Sequence, residues 1–360
     1  GIPPLDLYGF ARSPDYNPQY YDPSQTYTPW VDKVEDTTTE AEDLASFAKA
    51  DTTLTKIDPK GDTSEANTVN LFPTGSPLPV IKEIFRVQRD MPLPKGTIYQ
   101  TCGSGSGSNC SWWRDPVTVT NDTTKWSSSA ADIRFAYYPG TFYLKTNATL
   151  DGYSTPVEIK NACGTNCSLY KYEVTGHKAK QNFANWFSFY GNRNRAMVAG
   201  LTLSLNDVKE ALRVGYFTIN GTLGSVDMFE IQKLAGKKSL MEKVLTLKAD
   251  GGTPNRKAVE HIGKQFDTNE NIVQHACQKN AGMLFTDGYT NDTATPSPTV
   301  GDVDGSLPAP FGGGVGSAVG SAVGAAVCVG SGVASTTVST GEGNGEGVAV
   351  TVSAGACGGE

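Results

Sequence analysis

Gly282-Met283-Leu284-Phe285-Thr286-Asp287-Gly288 is a short apolar run that stops at an acid and a glycine. An uninterrupted apolar run of this length predicts a strand covered on both faces, as in parallel sheets. The Asp-Gly pair is a turn signal that ends the strand at Asp287. Just upstream, Ala258, Val259, Ile262 and Phe266 recur at helical spacing, so residues 253–266 read as a helix with these side chains on its buried face. Thr253 suits its N-cap and Pro254 its first helical position.

Further upstream, residues 228–247 again carry helical apolar spacing, and residues 213–220 (Arg-Val-Gly-Tyr-Phe-Thr-Ile-Asn) are rich in strand formers. Phe183, Trp186, Phe187 and Tyr190 recur at i, i+3, i+4 and i+7, and Met197, Val198, Leu201 and Leu205 continue the stripe. This reads as an amphipathic helix whose aromatic face is core; stacking on a sugar is the alternative use of such a stripe. The order helix, strand, helix, helix, strand is that of an α/β layered domain.

Residues 1–176 differ in character. They are rich in Pro, Gly, Ser, Thr, Asn and aromatic residues, and X-Pro steps between Tyr16 and Trp30 keep the chain extended or turned. A short helix is expected near residues 40–50 and strands near residues 133–138 and 141–144. The region reads as irregular and partly β. Residues 312–360 differ again, with 15 Gly and 10 Val, no aromatic residue, no Lys and no Arg. So many glycines make ordering entropically expensive, and a disordered low-complexity tail is expected.

The formal charge is −7, which disfavours a nucleic-acid partner, because neutralising phosphates takes a basic surface. No stretch approaches the roughly 18 consecutive apolar residues of a membrane span. No leader pattern precedes Gly1, so a leader has been removed or the chain begins inside a longer protein. Of seven cysteines, Cys102 and Cys110 are close in sequence, as are Cys163 and Cys167. Two local pairs in loop-rich sequence suggest small disulfide loops made in an oxidising compartment, with free thiols or a zinc site as alternatives. Cys277, Cys328 and Cys357 have no evident partners.

In a parallel α/β sheet, ligands bind outside the carboxyl ends of the strands. Asp287 ends one strand, and Thr253 opens a helix in a loop that would lie beside it. A hydroxyl and a carboxylate there suit a hard divalent cation such as Mg2+. Separately, Thr-Pro is also an ordinary helix start and Asp-Gly an ordinary turn. Other signals are weaker. Asp302-x-Asp304-Gly305 matches part of a calcium loop, and His177, His261 and His275 are scattered, His261 being expected to face solvent. Gly236-Lys237-Lys238-Ser239 lacks the glycine spacing of a phosphate loop, and no Gly-x-Ser-x-Gly occurs. No nucleophile, base and orienting group assemble, so an enzyme is not expected; a secreted hydrolase is the distant alternative.

The ordered set Tyr20-Tyr21-Asp22-Pro23, Tyr27-Thr28-Pro29-Trp30, residues 181–190, Arg213-Val214-Gly215-Tyr216, Gly251-Gly252-Thr253-Pro254, Cys277-Gln278-Lys279-Asn280, Thr286-Asp287-Gly288-Tyr289 and residues 298–305 resembles type IV pilus tip-associated adhesins. The resemblance covers most of residues 16–311 and is densest from 178 to 311. It implies a von Willebrand factor A-like, Rossmann-like domain over residues 177–311, with residues 1–176 as a large insertion. It further implies a cell-surface protein at the pilus tip of a Gram-negative bacterium. Its partners would be pilus tip subunits or minor pilins and a host-surface receptor.

Such domains carry a metal-ion-dependent adhesion site, whose Thr loop falls on Thr253 and whose Asp loop falls on Asp287. The third loop, Asp-x-Ser-x-Ser, occurs nowhere; Asp62-Thr63-Ser64-Glu65-Ala66 comes nearest. In the family that loop follows a central strand preceding the region that starts here at Gly1. The A-like domain is therefore expected to be incomplete, with weak or absent Mg2+ binding in this chain alone. A purely structural pilus-tip spacer is the alternative. After Phe311 the resemblance ends, where the family would continue with a further helix and strands and a β-propeller, and a reading-frame shift is expected to account for the tail.

Overall fold

The computed structural model describes residues 2–34, 44–46, 49–57, 59, 68–106, 109–208, 211–220, 223–224, 226–247, 252–275, 278–286 and 347–354. The fold mixes helix and sheet. It divides into two compact units, residues 1–30 with 46–199 and residues 31–45 with 200–360.

After a 3-10 helix at Asp6–Arg12, strands β1 (Val31–Val34) and β2 (Leu44–Ser46) form a two-stranded ribbon. The helix expected near residues 40–50 is thus not formed at Leu44–Ser46, where pairing with β1 overrides a weak local preference. β3 (Thr55–Lys56) and β4 (Thr68–Val69) form a second ribbon. A five-stranded sheet follows from β5 (Phe85–Val87), β6 (Ile98–Ser104), β7 (Trp112–Trp113), β8 (Val117–Thr118) and β9 (Ala131–Phe135). Phe85, Val87, Ile133 and Phe135 occupy alternate positions and are all buried, as a pleated strand with one face on the core requires.

A three-stranded sheet contains β10 (Thr141–Leu144), β11 (Val157–Ile159) and β12 (Leu169–Glu173), with β12 in the middle. Adjacent side chains on β10 point to opposite faces. Phe142 enters the main core and stacks on Tyr172 at 5.1 Å, while Tyr143 joins a smaller cluster with Ala162 and Leu169. The expected strands at 133–138 and 141–144 correspond to β9 and β10. The expected disulfides also form, Cys102 with Cys110 and Cys163 with Cys167.

The aromatic stripe lies on α1 (His177–Phe189), which buries Phe183, Trp186 and Phe189. It does not continue as one helix. The chain breaks at Tyr190–Asn192 and restarts as α2 (Arg193–Asp207). A Cβ on Gly191 would stand 2.6 Å from the Phe187 carbonyl oxygen, so the reversal is closed around a glycine. Asn192 then accepts the Arg195 N–H at 2.8 Å and starts the second helix. The division between the two units falls inside α2, after Ala199.

The second unit contains β13 (Leu212–Thr218), β14 (Asp227–Glu230), α3 (Leu234–Leu245), α4 (Asn255–Thr268), β15 (Lys279–Thr286) and β16 (Gly347–Ala354). The helical spacing read from residue 228 begins only at Leu234, because Asp227–Glu230 pairs with β13. The sheet order is β14-β13-β16-β15, and every ladder is antiparallel, where a parallel sheet was expected. β15 lies at the sheet edge and is not covered on both faces; Met283 is 40% exposed. β16 comes from the tail that composition marks as disordered. Its Gly-Val-Ala-Val-Thr-Val-Ser-Ala sequence alternates β-branched and small residues, a strand pattern that overall glycine content conceals. The rest of the tail lies outside the described residues.

Candidate functional site

Thr253 is 2% exposed and stands just before α4. The helix begins two residues later than the sequence suggests, with Pro254 rather than Thr253 at the N-cap position. The Thr253 carbonyl accepts the Asn255 N–H at 2.9 Å and the Pro254 carbonyl accepts the Ala258 N–H at 3.1 Å. The turn at Thr253 thus diverts its carbonyl from the helical ladder, and Thr253 becomes a pre-helical loop residue.

α4 lies on the sheet through Ala258 and Ile262, which cluster with Ile219, Phe217, Phe266 and Leu284. A Cβ added to Gly282 would stand 2.6 Å from Ile262 Cγ2, so the helix meets β15 closely at this point. From that contact, seven residues of helix lead back to its start at Asn255, just past Thr253, and four residues of strand lead on to Thr286. These spans are about 11 Å and about 14 Å at ordinary helix and strand rises. Asp287 lies outside the described residues, as do residues 62–66 and 298–305 and Cys277, Cys328 and Cys357. The structure therefore places one of the two expected metal ligands.

One hydroxyl cannot hold Mg2+, which takes about six oxygen ligands. Among the described residues no group of three His, Cys, Asp or Glu side chains comes together. An open depression of about 770 Å³ in this unit lies between β14 and the C-terminal end of α4, lined by Asp227, Met228, Gln265 and Thr268; Thr253 is at the other end of the helix.

His261 is not solvated as expected. It is 8% exposed, with its ring edge-on to Phe217 at 4.7 Å. Burial lowers its pKa below the ordinary value, opposed by a hydrogen bond to the Gly224 backbone and reinforced by Lys264. Its Nε2 has no hydrogen-bond partner among the described residues. Helical spacing alone could have signalled this, since His261 neighbours Ile262 and follows Ala258 by three positions. Lys237 has a structural task. Its Nζ donates to the carbonyls of Asn206 and Val208 at 3.1 and 3.0 Å, tying α3 to the end of α2.

In the first unit, the aromatic stripe is core. Tyr21 packs edge-on against Phe183 at 4.8 Å and Phe142 at 5.5 Å, and burial drives its pKa up. Its hydroxyl hydrogen-bonds the Tyr153 hydroxyl at 2.6 Å. Arg12 lies 4.8 Å over the Tyr137 ring. Burial opposes its charge, but Tyr20, Tyr137, Tyr143 and Glu83 around it more than compensate and raise its pKa. No helix among the described residues is long and apolar enough to cross a membrane.

No family model matches the chain, and no solved structure matches it. It is similar to the type IV pilus biogenesis factor PilY1 of Pseudomonas aeruginosa strain PAK, with 26% identity over 196 residues, covering 46% of this chain and 16% of that protein. The PilY1 of strain UCBPP-PA14 is 23% identical over 222 residues, covering 56% of this chain and 18% of that protein. The chain thus spans less than a fifth of the length of these relatives. These likenesses, distant and partial, are all to type IV pilus biogenesis factors.

Proposed function

We propose that the chain is part of a type IV pilus-associated adhesin or biogenesis factor, without enzymatic activity, whose residues 177–311 belong to an incomplete von Willebrand factor A-like domain. Residues 1–176 are then an insertion and residues 312–360 a tail. The observation carrying this reading is the similarity to PilY1 in three strains. The packing of α4 on β15 is consistent with it. The two elements meet at Ile262 and Gly282, with the Thr253 loop preceding the helix and Thr286 ending the strand.

In this reading the Thr253 hydroxyl and the Asp287 carboxylate are ligands of a divalent cation, Mg2+ by preference for oxygen donors. The bound cation would supply an open coordination position for a carboxylate of a host surface or another pilus component. These two groups would fill only two of the roughly six oxygen positions of Mg2+. The protein acts outside the cell, with pilus tip subunits, minor pilins or a surface receptor as partners.

The burial of Thr253 to 2% exposure favours a second reading, in which its role is to shape the turn and the unit serves as a mechanical spacer. Adhesion and piliation of cells carrying Thr253→Ala with Asp287→Ala in the full-length protein decide between them. Loss of adhesion with normal protein levels and normal piliation supports the cation site. Wild-type adhesion leaves the spacer.

A further inference from the structure

One end of the five-stranded sheet in the first unit is a stapled hairpin. β6 and β7 pair antiparallel, with Cys102 opposite Trp113 and Ser104 opposite Trp112. The Cys102–Cys110 disulfide closes the hairpin covalently, and the Ser111 N–H donates to the Ser104 carbonyl at 2.9 Å. Gly103 falls between the two paired positions, at a break in register. A Cβ there would run into Cδ2, Cε2 and Cζ2 of Trp112, so the indole lies against bare glycine backbone.

The two tryptophans are treated differently. Successive strand residues point to opposite faces. Trp113 meets Arg134 of β9, whose guanidinium caps its ring at 4.0 Å. Trp112 remains 52% exposed, so this large ring adds little to the core. Its seat on Gly103 and the disulfide beside it hold the ring in place before anything binds, which lowers the entropy cost of using it as a contact. The Arg114 guanidinium stands 5.5 Å from the Trp112 ring centroid. Among the described residues it makes no ion pair, Asp115 included.

We propose that Trp112 and Arg114 form a recognition site for a carboxylated pyranose, such as a uronic acid unit of a glycan. The C–H face of a pyranose is apolar and fits the electron-rich face of an indole. Its hydroxyls project around the rim and need hydrogen-bond partners there. The exposed residues at this end of the hairpin are Ser104, Gly105, Ser106, Asn109 and Ser111. They offer short hydroxyl and amide groups and backbone, not the apolar surroundings that an acyl chain or the centre of a protein interface requires. Arg114 supplies the charge that selects a carboxylate, in a chain whose net charge of −7 would otherwise repel one. The site belongs to the first unit and needs no cation.

The test uses the full chain in buffer free of divalent cations, so that its outcome is independent of the Thr253 and Asp287 reading. The probes are an oligogalacturonate trimer and its methyl ester, which present the same rings with and without charge. Calorimetry is expected to show the acid binding about tenfold tighter than the ester. Saturation-transfer NMR on the unmodified chain should mark the sugar ring C–H protons as those nearest the protein. Trp112→Ala should weaken both probes about tenfold with an unchanged thermal melt, since the ring is exposed. Gly103→Ala, which pushes the indole off its seat, should weaken both while leaving Trp112 present. Arg114→Gln should bring the acid down to the ester. No binding of either probe at millimolar concentration overturns the proposal, as does binding that Trp112→Ala leaves intact. An ester that binds the parent as tightly as the acid overturns it too.

Discussion

Asn182 holds Tyr27 by its backbone. The side-chain Oδ1 accepts the Tyr27 N–H at 2.8 Å, while Nδ2 donates to the Gln25 carbonyl at 2.7 Å. One turn on, Asn185 Nδ2 donates to the Tyr27 carbonyl at 3.0 Å, and its Oδ1 accepts the Ala50 N–H at 3.0 Å. Trp186 Nε1 donates to the Gln19 carbonyl at 3.1 Å. The segment from Asn17 to Trp30 has no regular secondary structure to satisfy its backbone, and side chains of α1 do so instead. Stretches 135 to 158 residues apart are joined by these amides.

Asn185→Ala should therefore lose more than one hydrogen bond. It leaves a peptide N–H and a carbonyl unpaired beside a residue that is 5% exposed. The expected loss is about 2–3 kcal/mol of stability in the first unit. Urea unfolding followed by tryptophan fluorescence measures it. A loss below about 0.5 kcal/mol would mean that water replaces the amide freely.

The paired change Cys102→Ser with Cys110→Ser removes a short covalent loop. The chain-entropy argument gives a loss of about 2.5 kcal/mol for a loop of this size. Guanidinium midpoints of the oxidised parent and the double variant should differ accordingly. Adding reductant should lower the parent's midpoint toward the variant's. Identical midpoints with and without reductant would show that the bond adds nothing to folding.

Gly282→Val tests the seat of α4. The new side chain would enter the space of Ile262 Cγ2. Overpacking of this kind costs about 1–3 kcal/mol. Combining it with Ile262→Ala should recover part of the loss, since the second change opens the space the first one needs. Simple additivity in thermal melts would place the helix elsewhere.

His261 gives a pH dependence with a defined sign. Its folded pKa lies below the ordinary 6.5. As pH falls through that value, the unfolded chain takes up a proton that the folded chain still refuses. This contribution to stability is complete above pH 6.5 and declines as pH falls toward the lowered folded pKa. Denaturant unfolding at pH 7.5 and 5.5 should show a smaller drop for His261→Leu than for the parent. Equal drops would mean that His261 titrates freely in the folded state.

Some of this protein could be read from its sequence, and the readable parts are local. The β-formers of 141–144, the strand at 213–218 and the two short-range cysteine pairs depend on neighbours within a few residues, which is the range that periodicity and spacing report. Thr253 was visible as a helix start, although a loop hydrogen bond moved the true start two residues on. Asp287 could be proposed from the strand before it but lies beyond the described residues. Tertiary structure decided the rest. Gly191 broke an aromatic stripe that spacing alone continues, because the chain had to turn there. β15 took a sheet edge although its apolar run matches a central strand, since a run of side chains does not say how many neighbours the backbone will find. His261 was buried because α4 turned its face to Phe217, and a glycine-rich tail supplied a middle strand because two separated edges needed one. Such outcomes depend on contacts between residues far apart in the chain, where burial and unpaired backbone groups outweigh local preference.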